Sequence, residues 1–429
     1  MEDVLITRTS RVGETPLRTG LRRLGRERLG VYRGMFVKRM SQWPLRATFR
    51  SLSRFVHRDS DLVVFGSVRN RFADNSAYLF LHMACDTDLR CVWISGSHAV
   101  VKKLRQAGFD ARHRWSIDGL RAAFRAGFYV YCFAPSDINL WLSDGAATLN
   151  LWHGLGVKRI ERDRGAPWDR MYNASDHSIT GQVFADDRRP PNWLVAPSPQ
   201  MRQYFARPFD LPIERCIEFG YPRNDHLVKR TRPPASLIDA SLYDRLERHD
   251  LVVGFFPTWR YDSFEALPEG SPTLDDIARI VGQQGGVVLF KPHHQSATPA
   301  ASDPAIVMLP AECDLNAYLG LCHVLVTDYS SVAADFLLLD RPIVVWGPDV
   351  DQGIAMHQFS VDPLTMQPGL LVRTKDELFS VLSDARSIPP AANFDDLREH
   401  YWGSVNAESA DALREFVKST ALIHSVARK

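Results

Sequence analysis

Thr327-Asp328-Tyr329-Ser330-Ser331-Val332-Ala333-Ala334-Asp335-Phe336 carries a strand into a helix and places two hydroxyls and a run of free backbone N–H groups at the junction. Ahead of it lies Cys322-His323-Val324-Leu325-Val326, apolar and β-branched. After it a helical span, Val332 to Leu339, closes at Asp340-Arg341-Pro342, and Ile343-Val344-Val345-Trp346 reads as the next strand. A strand–helix–strand unit of this kind points the positive end of its first helical turn beyond the carboxyl end of the sheet, where an anion is the natural occupant. Ser330 and Ser331 could equally cap the helix and do nothing more. The motifs elsewhere in the chain favour the phosphate seat.

Working outward, the same alternation recurs. Strands are predicted at Asp61–Phe65, Cys91–Ser95, Gly127–Phe133, Ala147–Trp152 and Cys216–Phe219, with helical spans such as Val100–Ala107 and Ile117–Ala126 between them. A second set follows at Leu251–Phe256, Val287–Lys291, His323–Thr327 and Ile343–Trp346. The pattern is doubly wound α/β. The charged stretch 226–249, holding Pro233-Pro234, separates the two sets, and the expected division is 1–58 as an arm, 59–235 and 236–393 as domains, and 394–429 as a helical tail that packs back on the first domain.

Composition narrows the class. The 429 residues suit two domains, and 45% apolar with 24% charged residues is ordinary for a globular protein. No uncharged apolar run is long enough to span a membrane, and no secretion signal is visible. The six cysteines (85, 91, 132, 216, 313, 322) lack C-x-x-C spacing and read as reduced core residues of a cytosolic protein. A net charge of +2 hides an asymmetry: residues 1–58 hold 14 Lys and Arg against 4 Asp and Glu, and the remainder 38 against 46. In that arm Leu17, Leu21, Leu24, Val31, Met35, Phe36, Met40 and Trp43 recur at near-helical spacing among arginines, the pattern of a helix on an anionic membrane surface. Gly20, Gly25, Gly30 and Gly34 weaken that helix, and a solvated tail or a nucleic-acid arm is the plainer alternative.

Two further strand ends carry chemistry. Leu151-Trp152-His153-Gly154-Leu155-Gly156-Val157-Lys158 sets a histidine beside a glycine-rich turn that lets backbone approach a ligand. His153 titrates near neutrality and could take a proton from an attacking hydroxyl, though a strand-end histidine is more often structural. Phe290-Lys291-Pro292-His293-His294 repeats the arrangement in the second domain and reads as a set of phosphate donors, because no further ligands complete a zinc site. Arg260, in Pro257-Thr258-Trp259-Arg260, could pair with an anion or only with Asp262. The chain lacks a P-loop, a G-x-G-x-x-G and a G-x-S-x-G, and its three D-x-D triplets are scattered, so no metal and no separate cofactor is expected.

Taken in order, Trp152-His153-Gly154, Gly220-Tyr221-Pro222-Arg223-Asn224-Asp225, Pro257-Thr258-Trp259-Arg260, Lys291-Pro292-His293 and Thr327-Asp328-Tyr329-Ser330-Ser331 with Asp335-Phe336 resemble the CDP-glycerol glycerophosphotransferase family, the teichoic-acid and capsule polymerases and primases. The resemblance spans about 60 to 350. It implies a GT-B fold, two Rossmann-like domains facing a cleft, the first for the acceptor and the second for the CDP donor. It also implies a cytoplasmic enzyme, peripheral on the inner face of the membrane. The reaction implied is transfer of glycerol phosphate or ribitol phosphate from CDP-glycerol or CDP-ribitol to a polymer or lipid-linked acceptor, releasing CMP; no nucleic acid is involved. Carried over, it makes His153 the base and His293 its catalytic companion, with Gly154, Leu155, Gly156, Val157, Arg223, Thr258, Trp259, Arg260, Lys291, Ser330, Ser331 and Asp335 around the donor. Asp335, on the face of Ser331, would accept hydrogen bonds from donor hydroxyls. Leu155 stands where many members have Thr, His294 where many have Pro and His323 where many have Asp. A GT-B glycosyltransferase with a nucleotide-sugar donor is the first rival. A non-catalytic scaffold is the second, and the presence of both histidines argues against it.

Overall fold

The computed structural model describes residues 16–53, 55–85, 88–257, 272–291, 302–348, 350–351, 359–391, 393–404 and 407–426. The first domain is a parallel sheet of β1 (Asp59–Phe65), β2 (Arg90–Ser95), β3 (Ala111–His113), β4 (Ala126–Tyr131), β5 (Ala147–Asn150), β6 (Trp193–Val195) and β7 (Cys216–Ile217), in the order β3-β2-β1-β4-β5-β6-β7. The second holds β8 (Val252–Phe256), β9 (Val287–Phe290), β10 (Ile306–Met308), β11 (Val324–Thr327), β12 (Ile343–Trp346) and β13 (Leu370–Val372), in the order β10-β9-β8-β11-β12-β13. Each sheet starts at its centre, steps twice one way, then returns and steps the other way. That is Rossmann winding, and it opens a crevice beyond the carboxyl ends of β1/β4 and of β8/β11. The two crevices face each other, the GT-B arrangement.

Helices cover both faces of each sheet, which is why the central strands read as unbroken apolar runs: Val63, Val64 and Phe65, like Val252 and Val253, are fully buried. One apolar core continues from the first domain (Leu151, Tyr221) into the second (Phe336, Val345). The helices Phe394–Trp402 and Ser409–Val426 cross from the second domain onto the first. Phe416 packs on Trp193 and Phe219, and the Asp225 carboxylate accepts the N–H groups of Ser409 and Ala410 at the second helix's start.

The N-terminal segment differs from the arm expected. It is a 38-residue helix, α1 (Pro16–Ser53), with Pro44 inside it, and along its described side chains it lies on the first domain. Tyr32 is buried against Trp168 and Phe184, Phe36 reaches Phe184, and Phe49 stacks on Trp141. Arg39 and Arg46 pair with Asp187 and Asp186 at 2.5 Å. Part of the apolar pattern that suggested a membrane face is therefore spent on the protein itself, while Val31, Val37, Met40 and Trp43 stay exposed. Among the described residues no helix is long and apolar enough to cross a membrane. All six cysteines are free, with Cys85 exposed and Cys91, Cys132, Cys216 and Cys322 buried.

Candidate active site

Beyond β5 the chain makes a strained turn that aims His153 into the cleft. Trp152 sits at φ 56°, a left-handed conformation that a bulky side chain rarely adopts. It persists because both ends are held: Asn150 Oδ1 accepts the Trp152 N–H at 2.8 Å and Asn75 Nδ2 donates to the Trp152 carbonyl at 3.0 Å. The His153 ring rests on Trp152 and Phe133, at 4.2 and 5.7 Å between centroids. Its Nδ1 lies 3.1 Å from the Cys132 carbonyl. A carbonyl only accepts, so Nδ1 carries the proton and Nε2 the basic lone pair. Burial lowers the His153 pKa, with Asp74 and the Cys132 carbonyl pulling the other way, so the ring is neutral and able to take a proton at neutral pH.

The turn that follows is docked on the second domain. A Cβ on Gly154 would stand 2.5 Å from Ser331 Oγ, so only glycine lets the two strand ends close this tightly. Val157 O accepts the Ser360 N–H at 2.7 Å, Lys158 pairs with Phe359 in an antiparallel bridge, and Arg159 Nε donates to the Phe359 carbonyl. Between them lies a cleft of about 210 Å³, lined by residues 152–158, Ile160, Tyr204 and Tyr329–Ser331. The helix after β11 runs Val332–Phe336 and continues as a 3₁₀ turn to Leu339. Ser331 makes no capping bond and Ser330 Oγ is 3.4 Å from the Val332 N–H, so capping alone does not account for the pair. His153, Gly154, Leu155, Gly156, Val157, Ser330 and Ser331 thus meet in one cleft. Lys291 follows β9 half-buried, its pKa lowered by burial first and by Arg71 among its neighbours. Thr258, Trp259, Arg260 and His293 lie outside the described residues.

Arg223 and Asp335 are placed otherwise than the motif suggested. Both are almost fully buried, and they face each other instead of the cleft: Arg223 Nη2 donates to Asp335 Oδ2 at 2.8 Å, and Asn224 Nδ2 donates to Asp335 Oδ1 at 2.8 Å. With its oxygens so occupied, Asp335 is not positioned to receive donor hydroxyls. His323 Nδ1 accepts the Val252 N–H at 3.0 Å and so fills an acceptor's place at the start of β8. Sequence reasoning passed over Asp74, Asn75 and Asn150. The available signals were a polar Asp74-Asn75-Ser76 directly after a strand crevice and an asparagine inside the apolar Ala147-Thr148-Leu149-Asn150-Leu151-Trp152 run.

Comparison with known proteins bears on the family and the fold. The family model for CDP-glycerol:poly(glycerophosphate) glycerophosphotransferase matches residues 48–416. A teichoic acid glycerol-phosphate transferase of Staphylococcus aureus is 25% identical over 361 residues, covering 81% of this chain and 89% of the relative. A teichoic acid poly(glycerol phosphate) polymerase of Bacillus subtilis is 28% identical over 302 residues, 67% of this chain but only 39% of the relative. The structure of the wall teichoic acid polymerase TagF superposes with a TM-score of 0.70 at 19% identity, covering 92% of this chain and 99% of that one, a likeness of fold.

Proposed function

This chain belongs to the CDP-glycerol:poly(glycerophosphate) glycerophosphotransferase family, and from that premise we propose that it moves a polyol phosphate from a CDP-activated donor to a hydroxyl of a cell-surface polymer or lipid-linked acceptor. The observation that carries the reading is His153, a neutral imidazole with its lone pair on Nε2, opposite two serine hydroxyls at a helix start. The acceptor hydroxyl gives its proton to Nε2 as its oxygen attacks the β-phosphorus. The bond from that phosphorus to the bridging oxygen breaks, and CMP leaves. Ser330, Ser331 and the adjacent N–H groups are donors where charge gathers on the pyrophosphate. Lys291, directly after β9, supplies a cationic partner, and the motif gives His293 the same role.

The donor is CDP-glycerol or CDP-ribitol, and the enzyme works from the cytoplasm against the inner face of the membrane, with the exposed side of α1 as its contact. The deciding experiment uses each donor labelled in the β-phosphate, with a lipid-linked polyol-phosphate acceptor. Release of CMP with the label in the product supports phosphotransfer, and the productive donor names the polyol. Label left with the nucleotide, or transfer of a sugar from a nucleotide-sugar donor instead, overturns it.

A further inference from the structure

Arg223 sits where the two domains meet, and its guanidinium is shared among three partners. Nη1 donates to Asp74 Oδ1 at 2.6 Å and to the His153 carbonyl at 2.9 Å, while Nη2 spans the Asp335 carboxylate at 2.8 and 3.2 Å. Its backbone N–H reaches Asn75 Oδ1, the same asparagine that holds the Trp152 carbonyl. From the second domain Asp314 accepts the Asp74 N–H at 3.0 Å, and Asn316 Nδ2 donates to Asn224 Oδ1 at 3.0 Å. Asp74, like Trp152, is left-handed, at φ 66°.

A buried ion pair is weak support for stability, because the cost of desolvation offsets most of the Coulomb attraction. What such a network does supply is position. Here it ties together two strained residues, the backbone of the histidine turn and the helix that begins at Ser331. We propose that Arg223, gripped by Asp74 and Asp335, is a positioning residue: an interdomain latch that sets His153 against the Ser330–Ser331 helix start and does not itself touch the donor. The inference rests on the reading of His153 as the base. It departs from the donor-contact role that the motif implies for Arg223.

Two variants of the full chain test it. Arg223→Lys keeps the charge and loses the fork; Asp335→Asn weakens the grip from the second domain. With a latch, Arg223→Lys folds, binds CMP within about threefold of the parent, and loses roughly 10²-fold in turnover per CMP-binding site, the scale of a misplacement near 1 Å. Donor or CMP affinity weakened tenfold or more makes Arg223 a donor contact and overturns the proposal. Full turnover per CMP-binding site with only lowered stability makes it merely structural, and overturns it too. A second readout needs no turnover: in protein with labelled histidine, Asp335→Asn shifts or broadens the His153 ring resonances although Asp335 does not touch that ring. Unmoved resonances in a folded Asp335→Asn protein refute the latch. A parent that releases no CMP from either CDP-polyol refutes the assigned reaction instead, and the resonance experiment still decides the latch.

Discussion

His153, the proposed base, has a proton inventory set by its surroundings. Burial depresses its pKa, Asp74 and the Cys132 carbonyl oppose that, Arg223 reinforces it and Glu161 opposes it again, with a net fall below histidine's ordinary 6.5. The free base therefore persists to lower pH than usual, and the acid limb of kcat/KM falls below 6.5; a limb at or above that value contradicts the assignment. The linkage has the matching sign. An unfolded chain binds the proton more tightly than the buried ring, so this residue costs stability as pH drops through the unfolded value. His153→Ala loses about 10²–10⁴-fold in turnover with donor affinity nearly unchanged, since the base meets the acceptor's proton. His293→Ala, in contrast, weakens binding of the CDP-polyol as well, because a charge-assisted hydrogen bond worth roughly 1.5–3 kcal/mol is lost from the ground state too. Calorimetric titration of both variants separates the roles, and the reverse pattern sinks them. Gly154→Ala is a geometric test: its Cβ would lie 2.5 Å from Ser331 Oγ and 2.9 Å from Ser331 Cβ. The serine must move, and CMP release falls by about 10²-fold with the fold retained.

Among elements, the helix Phe394–Trp402 braces the helix that follows Ser331. Trp402 is fully buried, its ring stands edge-on to Tyr221, and its indole N–H donates to the Ala334 carbonyl at 2.6 Å. Trp402→Phe keeps most of the packing and loses the hydrogen bond, about 1–3 kcal/mol. Trp402→Ala adds a cavity and reaches about 3–5 kcal/mol. Denaturant unfolding reads both, and an unchanged midpoint for the alanine variant contradicts the brace. This element also shows what one sequence can and cannot reveal. The long central strands were legible because covered parallel sheets make continuous apolar runs such as Leu62-Val63-Val64-Phe65. The strands β3, β6, β10 and β13 were not predicted: β3, Ala111-Arg112-His113, offers no apolar run, while the apolar runs Trp193–Ala196 and Ala305–Leu309 around β6 and β10 were passed over. Site residues that belong to one turn, His153 to Val157 or Ser330-Ser331, were legible from their own neighbours. The Asp74–Arg223–Asp335 set was not, because its partners lie 149 and 112 positions apart and a motif names a guanidinium without saying which way it faces.

At the scale of the whole molecule, the charge surplus of the first 58 residues has to be divided between folding and contact. Arg39, Arg46 and Arg50 meet Asp187, Asp186 and Asp144 on the first domain, and Arg58 donates to the backbone carbonyls of Ala123 and Leu142. The first three side chains hold α1 to the protein, Arg58 anchors the link between α1 and β1, and all four are lost to a lipid headgroup. Arg33 and Lys38 remain exposed on the same helix, with Val37 at 67%, Trp43 at 39% and Leu45 at 50% exposure. Removing residues 1–58 would therefore strip Tyr32 and Arg46 from the first domain's surface and confuse unfolding with detachment. Substitution of the outward side chains avoids that. About 1 kcal/mol per basic residue near an anionic surface, together with burial of Trp43 and its neighbours, is what α1 would supply as the membrane contact proposed above. Arg33→Glu and Lys38→Glu combined with Val37→Ser and Trp43→Ser then abolish co-sedimentation with anionic vesicles, while thermal unfolding and CMP release with a soluble acceptor stay close to the parent. Vesicle binding that survives all four substitutions removes α1 from that role and sends the search to another surface of the chain.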